Sequence, residues 1–227
     1  MDSYVIKPIA RMESDFPTKF GIPRQAGIVK ALRGRIVFEP EYRDMEAFRG
    51  LEDFSHIWVI WQFSENLRSG WSPTVRPPRL GGNARKGVFA TRSPFRPNAL
   101  GLSCLKLAGL EKDRDLGPVL YVEGADLMDG TPIFDIKPYV PYADCHADAK
   151  CGFAPDGGSE LEVEIPPELR EIFPPEKLEA LRGVLAKDPR PRYQDDPERL
   201  YVMEFGGFDI SFSADGEKLL VKGIRKL

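Results

Sequence analysis

The sequence predicts a mainly β protein with an α+β part near its C-terminus, and three observations support this. The 227 residues include 21 glycines and 21 prolines, which indicate many turns. Short segments rich in β-branched and aromatic residues recur between the turns, whereas helical spacing is found after residue 160. Hydrophobic residues make up 42% of the chain, which is enough for a packed core. Many short strands with few helices are typical of a β-barrel or a sandwich.

The predicted strands of the first part are separated by turn residues. The first is Tyr4–Met12, the second lies near Arg35–Phe38, and a short helix is predicted at Tyr42–Phe48. The clearest strand is Ser55–Phe63, whose two alternating faces are both apolar, so we expect it to be covered on both sides. Four further segments have the composition of short strands: Val88–Thr91, Leu100–Leu107, Val119–Val122 and Thr131–Asp135.

A stretch rich in Pro, Ala, Asp and Gly, Pro138–Ser159, marks the predicted domain boundary. We expect one domain at 1–140, a linker at 141–159 and a second domain at 160–227. No internal repeat is visible in either part.

The second domain is predicted to combine helices and strands. Pro167–Phe173 and Pro175–Ala186 have helical spacing, with apolar residues recurring at three- and four-residue intervals in the longer segment. Tyr201–Leu227 has the composition of strands, with a hairpin turn expected at Asp215-Gly216.

Composition also bears on the compartment and on metals. No apolar run is long enough to cross a bilayer and the N-terminus lacks a signal-peptide core, so we expect a cytoplasmic protein without a membrane partner. The three cysteines, Cys104, Cys145 and Cys151, show no disulfide framework. Cys145-His146 and Cys151 make a metal site conceivable, but the chain has only two histidines and no CxxC pair, so none is expected.

The charge is unevenly distributed along the chain. Between Asn66 and Leu110 there is no Asp or Glu, but there are eight Lys or Arg residues. Removing these positive charges from the net charge of −3 leaves −11 for the remainder. A basic segment in an acidic protein favours contact with a polyanion such as nucleic acid. The alternative is a solvated surface whose ion-pair partners come from elsewhere in the fold.

Three motifs stand out as candidates for chemistry. The stretch Trp71–Ser103, WSPTVRPPRLGGNARKGVFATRSPFRPNALGLS, predicts a shaped loop whose arginines can contact phosphate or carboxylate groups. The second, Asp126–Pro138, is DLMDGTPIFDIKP, in which Asp129-Gly130 alone is equally typical of a plain hairpin turn. The third, Asp188–Tyr193, is DPRPRY, which alone could be a helix stop made by its prolines.

Together with FGIPRQAG and RGLEDFSHIWVI, these motifs make the chain resemble the TrmO (TsaA-like) family over essentially its whole length. The resemblance implies an N-terminal β-barrel that binds S-adenosylmethionine, a smaller C-terminal domain and a homodimer. It also implies methylation of N6 of N6-threonylcarbamoyladenosine at position 37, beside the tRNA anticodon. This barrel differs from Rossmann-type methyltransferases, and no GxGxxG motif follows any predicted strand.

The resemblance implies a cofactor pocket, carried over motif by motif. Arg92 suits the methionine carboxylate, and Asp126 or Asp129 suits the ribose hydroxyls or the amino group. Ser64-Glu65 stands where relatives often have His-Gln, which leaves open whether these positions act by side chain or by backbone. The implied pocket residues are Gln25, Ala26, Gly27, Ser64, Glu65, Arg92, Leu102, Asp126, Leu127, Met128 and Asp129.

The implied RNA contacts come from the basic segment and from DPRPRY. We expect the tRNA anticodon loop to meet Arg76, Arg79, Arg85, Lys86, Arg190, Arg192 and Tyr193. No general base is identified, since His56 lies in a strand pattern and His146 in the linker. Two alternatives stay open: an RNA-binding protein of this fold without catalysis, and a barrel methyltransferase that acts on another nucleoside.

Overall fold

The computed structural model of the chain describes residues 4–66, 71–81, 84–154, 158–190 and 196–227. The first eight strands are β1 (Ala10–Ser14), β2 (Arg33–Phe38), β3 (His56–Gln62), β4 (Thr74–Val75), β5 (Lys86–Gly87), β6 (Leu100–Asp113), β7 (Gly117–Glu123) and β8 (Pro132–Pro138). The last four are β9 (Glu162–Glu164), β10 (Tyr201–Phe205), β11 (Phe208–Asp215) and β12 (Lys218–Lys226). The α-helices are α1 (Pro141–Asp144), α2 (Pro167–Arg170) and α3 (Pro175–Ala186).

Six strands close into a barrel in the order β1-β2-β7-β6-β3-β8, with all neighbours antiparallel. The barrel closes where β1 pairs with β8, which places Ala10 opposite Ile133. The predicted mainly β fold with a barrel is thereby confirmed, and closure decides between barrel and sandwich.

Strand β3 shows how alternation builds the barrel core. Ile57, Val59 and Trp61 are buried, whereas the residues between them are half-exposed on the outer face. The sequence predicts that both faces of this strand are covered, but its outer face is covered only in part. An added Cβ at Gly101, which pairs with Trp61, would lie 2.3 Å from the indole ring, so glycine is what allows the indole to lie across β6.

Three predicted elements differ from the structure. The first strand begins at Ala10, and Tyr4 and Val5 before it are exposed. The predicted strand at Val88–Thr91 is instead a turn of 3-10 helix over Val88–Ala90, closed by the Thr91 N–H donating to the Val88 carbonyl at 3.1 Å. The apolar residues of this segment suggest a strand, but only Val88 is buried, whereas the ring of Phe89 is exposed. The predicted short helix near residue 45 is a 3-10 turn over Met45–Phe48.

The C-terminal part is an α+β unit built on a four-stranded sheet of order β10-β11-β12-β9. Strands β10, β11 and β12 are antiparallel neighbours, whereas β9 joins β12 in parallel. Helix α3 covers the sheet with buried Leu181, Val184 and Leu185. The predicted helix at Pro175–Ala186 and the hairpin turn at Asp215-Gly216 are both confirmed.

The connection between β1 and β2, residues 15–32, packs into the core of the C-terminal part. Phe16, Val29 and Leu32 are buried in the same hydrophobic cluster as α3 and the C-terminal sheet. The Lys177 ammonium lies 2.5 Å from the Asp15 carboxylate, and the Gly206 N–H donates to the Asp15 carbonyl at 2.8 Å. The two parts of the protein are therefore joined through this connection, which we call the β1–β2 loop.

No helix within the described ranges is both long and apolar enough to cross a membrane.

Candidate active site

A pocket of about 110 Å³ opens on the barrel wall where the β1–β2 loop meets β3 and β6. It brings together four residues that the sequence motifs suggest for the cofactor. Its lining consists of Gln25, Ala26, Trp58, Arg92, Leu102, Ser103 and Cys104. Segments far apart in the sequence thus converge on one cleft.

The loop side of the pocket is held close to the barrel by glycines. The Gly27 N–H donates to the Gly124 carbonyl at 2.9 Å. Gly124 has a φ of +74°, and a Cβ added there would lie 2.9 Å from the Gly27 Cα, so a larger residue would push the two segments apart. This contact sets Gln25 and Ala26 against the end of β7.

The Arg92 guanidinium supplies the positive charge of the pocket. It donates a hydrogen bond to the Gln25 side-chain oxygen, which orients it across the cleft. Arg92 remains exposed to solvent, and the side chain of Leu102 beside it is 57% exposed. An accessible cation next to an uncovered apolar surface suits a ligand that carries both a carboxylate and an apolar group.

A polar chain runs from the barrel interior to the pocket. The indole N–H of Trp61 donates to the Ser103 hydroxyl at 3.0 Å, and that hydroxyl donates to the Asp126 carboxylate at 2.7 Å. Because an indole nitrogen can only donate, the Ser103 proton is directed to Asp126. Sequence reasoning missed Ser103 and Trp61. The available signal was a serine between Gly101 and Leu105 on the inward face of β6.

The pKa of Asp126 is raised from 3.8 to about 6, chiefly because burial disfavours the charged form. The Ser103 hydroxyl, the backbone N–H groups of Asp126 and Ala26, and the Arg92 charge act in the opposite direction. The carboxylate is therefore ionised at neutral pH but close to protonation, and the Arg92 charge is near enough to act on it.

The basic loop folds partly into a small two-stranded ribbon of β4 and β5, described here over residues 71–81 and 84–90. The Arg85 guanidinium donates to the Thr74 hydroxyl at 3.1 Å. Arg76 and Lys86 are exposed, and the Lys86 ammonium lies 5.9 Å from the centre of the Phe153 ring. Within the described part of the chain, no acidic side chain pairs with Arg76, Arg85 or Lys86. The solvated, salt-bridged alternative thus finds no support at these three positions.

Two family models match consecutive parts of the sequence. The model for the tRNA-methyltransferase O N-terminal domain matches residues 11–145, and the model for the TrmO C-terminal domain matches residues 159–227. The chain belongs to the TrmO family.

Individual TrmO-like proteins match along nearly the full length. A tRNA (adenine(37)-N6)-methyltransferase of Escherichia coli K12 is 42% identical over 219 residues, which cover 92% of this chain and 93% of that protein. A Pseudomonas aeruginosa protein is 40% identical over 216 residues, covering 92% of this chain and 91% of its own, and its name assigns it provisionally to S-adenosylmethionine-dependent methyltransferases. The crystal structure of TrmO from Pseudomonas aeruginosa has a TM-score of 0.80 at 33% identity and covers 98% of each chain.

The turn that follows β7 carries three more of the residues expected at a TrmO cofactor pocket, Leu127, Met128 and Asp129. The Ser14 N–H donates to the Asp129 side chain at 3.0 Å, and the Ser14 hydroxyl donates to the Leu127 carbonyl at 2.8 Å. Leu127 is buried in the barrel core, whereas Asp129 is exposed. The Met128 carbonyl accepts from the Thr131 N–H at 3.2 Å, which closes the turn. In this structure these residues tie the turn to the end of β1.

Ser64 and Glu65 lie on a 3-10 turn directly after β3, outside the lining of the pocket.

The DPRPRY motif contributes differently from what its arginines suggest. Arg190 is only 6% exposed, its Nε lies 2.8 Å from Asp188, and it donates to the Ala214 carbonyl at 3.2 Å. The expectation that Arg190 contacts RNA does not fit this burial, because a phosphate could not reach the guanidinium. Arg192 and Tyr193 lie outside the described residues, as do the side chain of Arg79 and residues 82–83.

Neither of the two histidines lines the pocket. His56 Nδ1 lies 2.9 Å from the Ser55 hydroxyl, and His146 is exposed after α1. Among the described residues, no group of His, Cys, Asp and Glu is arranged to hold a metal ion.

Proposed function

We propose that this chain is an S-adenosylmethionine-dependent tRNA methyltransferase that acts on N6 of N6-threonylcarbamoyladenosine at position 37. The observation that carries the proposal is a TrmO-family match over both parts of the chain, combined with a pocket lined by Arg92 and by Ser103, whose hydroxyl donates to the Asp126 carboxylate. We also propose that it acts as a cytoplasmic homodimer.

The residues of the pocket fit the chemical groups of S-adenosylmethionine. Arg92, oriented by Gln25, is placed to pair with the methionine carboxylate. The partly buried carboxylate of Asp126 favours a sulfonium or ammonium charge nearby. Leu102 offers an exposed apolar surface for the adenosine.

The described pocket is smaller than the roughly 300–1,000 Å³ typical of small-molecule sites. We therefore propose that it accepts part of the cofactor and that neighbouring segments hold the rest. The candidates are the remaining residues implied by the family motifs: Gly27, Ser64, Glu65, Leu127, Met128 and Asp129.

The reaction depends mainly on positioning. When bound, the cofactor supplies an electrophilic methyl group on its sulfonium. The accepting N6 is a poor nucleophile because it is conjugated with both the purine and a carbamoyl group. Holding the reacting atoms in line can contribute roughly 7–11 kcal/mol of barrier reduction. The glycine contact between Gly27 and Gly124 fixes one wall of the pocket and serves that purpose.

Substrate RNA is proposed to reach the pocket across the basic segment. Arg76, Arg85 and Lys86 are exposed on the ribbon and unpaired by described acidic groups, so they are available for phosphates. Arg79, Arg192 and Tyr193 remain proposed contacts, whereas Arg190 is not retained because of its burial.

The direct test is methylation of purified tRNA that carries N6-threonylcarbamoyladenosine, with mass spectrometry of the released nucleosides. We expect one added methyl group on that nucleoside and none in tRNA that lacks the modification. If the protein binds both cofactor and tRNA but transfers no methyl group, the non-catalytic RNA-binding alternative is correct.

Arg92→Ala provides the matched variant. Removing the charged partner of a bound carboxylate is expected to weaken cofactor binding by ~1.5–3 kcal/mol, the contribution of a hydrogen bond to a charged group. Calorimetry on the folded variant measures this, with Arg114→Ala, on the turn between β6 and β7, as a control. Unchanged cofactor affinity in Arg92→Ala would remove Arg92 from the pocket.

A further inference from the structure

Two large aromatic side chains stand in solvent on the basic ribbon. Trp71 is 53% exposed and Phe89 is 72% exposed. Their ring centres lie 6.1 Å apart with 32° between the ring planes. At this exposure, a large part of each ring is open to water, which is costly for apolar surface unless a partner covers it.

The ribbon fixes the positions of both rings. The Val88 N–H donates to the Pro73 carbonyl at 2.9 Å, joining the segment after Trp71 to the segment before Phe89. Val88 is buried and anchors its 3-10 turn, so the next side chain, Phe89, turns outward. The rings are thus displayed by a paired backbone rather than by a free loop.

The surroundings of the two rings are positively charged. Arg76 and Lys86 are exposed on the same ribbon, and Arg85 is held on it by Thr74. The sequence contains no acidic residue between Asn66 and Leu110. Exposed aromatic rings among cations are the combination by which proteins bind unpaired nucleotides, since rings stack on bases and cations meet the phosphates.

A second copy of this chain is the competing occupant. In a two-fold symmetric contact the same patch lies on both partners, and near the axis it meets itself. A segment without acidic residues would then oppose like charges, which is unfavourable. The charge of the ribbon therefore favours RNA.

We propose that Trp71 and Phe89 form a stacking site for unpaired bases of an RNA loop. The inference rests on the proposed function in one respect, which is that the loop is the tRNA anticodon loop. Stacking needs an aromatic face but no particular base, so this site contributes affinity and loop placement rather than sequence selectivity.

The test compares Trp71→Ala and Phe89→Ala with the parent in binding an unmodified anticodon stem-loop RNA, followed by fluorescence anisotropy without cofactor. Each variant is expected to bind roughly five- to a hundredfold more weakly at fixed salt. The dependence of affinity on salt should stay parental, because stacking releases no counterions. Trp71→Phe should retain most of the affinity, and binding to an RNA duplex of equal charge should be unchanged.

Tyr142→Ala is the matched control, because Tyr142 is a 93% exposed aromatic residue on α1 and is not part of the ribbon. Parental stem-loop affinity in both alanine variants, or equal losses for stem-loop and duplex, would overturn the proposal. A parent that does not bind the stem-loop overturns it as well. A lower sedimentation mass of the alanine variants would assign the rings to a subunit contact instead. Failure of the parent to methylate tRNA would count against the proposed function alone, because this binding assay contains no cofactor.

Discussion

Ser103 lies on the inward face of β6, where neighbouring positions are occupied by Gly101 and Leu105. A buried hydroxyl is tolerated there because both of its hydrogen-bonding functions are used, one by Trp61 and one by Asp126. Ser103 thereby links Trp61 in the barrel core to the Asp126 carboxylate, and replacing it should affect both of these side chains.

Ser103→Ala is expected to lower the free energy of unfolding by ~1–3 kcal/mol, since it leaves the Trp61 N–H buried without an acceptor. The measurement is urea unfolding followed by circular dichroism. Combining it with Trp61→Phe should cost less than the sum of the two single changes. Ser211→Ala, which removes a hydroxyl bonded to the Gly223 carbonyl in the C-terminal sheet, is the control. Strict additivity of the double variant would contradict the hydrogen-bonded chain.

The pKa of Asp126 predicts the pH dependence of cofactor binding. Burial raises this pKa from 3.8 to about 6, so the carboxylate that attracts a positively charged ligand is formed only above that pH. The Arg92 charge acts on this carboxylate in the opposite direction to burial. Affinity should therefore fall by up to about tenfold per pH unit below pH 6 and level off above it, as measured by calorimetry.

Asp126→Asn should make cofactor affinity less dependent on pH. At every pH the variant should bind the cofactor as weakly as the parent does at low pH. The raised pKa also determines how the stability of the fold depends on pH. The protonated carboxyl of Asp126 stabilises the folded state; this stabilisation is full below pH 3.8 and is lost as pH rises through about 6. The Asn variant should accordingly gain stability relative to the parent at neutral pH. A parental binding profile that does not change across pH 6 argues against Asp126 in the pocket.

At the scale of elements, the β1–β2 loop contributes both to the C-terminal core and to the pocket on the barrel. Its residues Phe16, Val29 and Leu32 are part of the C-terminal core, while Gln25 and Ala26 line the pocket. Helix α3 packs against this loop at Gly183, where an added Cβ would lie 2.7 Å from a methyl group of Val29. Packing in the C-terminal part therefore sets the position of a pocket wall on the barrel.

Gly183→Ala tests this connection. Overpacking against Val29 is expected to cost ~1–3 kcal/mol of stability, partly offset by the ~1 kcal/mol gain in helix propensity. Cofactor affinity should also fall, although Gly183 does not line that pocket, and Val29→Ala in the same chain should restore it. Gly109→Ala, where no atom lies within 4 Å of the added Cβ, is the control. Unchanged cofactor affinity in Gly183→Ala would mean that the loop moves independently of α3.

The elements differ in how far the sequence predicts them. Ser55–Phe63 is predictable from its β-branched and aromatic residues, and Pro175–Ala186 from apolar residues at three- and four-residue intervals. Strands β4 and β5 have two residues each, too few to show a period. Ser103 and Trp61 meet only through the register of β3 with β6, which no local pattern encodes. Arg190 misleads because an ion pair with Asp188 and a phosphate contact require the same residue types.

At the scale of the whole molecule, charge is separated along the chain. The net charge is −3, yet the segment from Asn66 to Leu110 is entirely basic among its charged residues. Because the rest of the chain is net negative, we expect an approaching anticodon loop to be oriented toward the ribbon before it makes contact.

Arg76→Ala with Arg85→Ala is expected to weaken tRNA binding and to reduce its salt dependence. Each phosphate that is no longer neutralised should lower the slope of log affinity against log salt by about 0.7–0.9. Anisotropy titrations over a range of salt concentrations measure this, with the exposed Lys222→Ala on β12 as the control. If the slope of the double variant equals that of the parent, the ribbon is not where tRNA binds.

Packing of the β1–β2 loop against the last strands also has a consequence for synthesis of the chain. Domains generally fold in order as they leave the ribosome, N-terminal first. Here the loop segment at 16–32 finds its buried neighbours only when β10, β11 and β12 at residues 201–226 have been made. The barrel strands up to Pro138 can pair earlier, but the loop must wait until β12 has been made. A nascent chain stalled before Tyr201 should therefore hold a protease-sensitive loop on a formed barrel, and cofactor binding should begin only once β12 has left the ribosome.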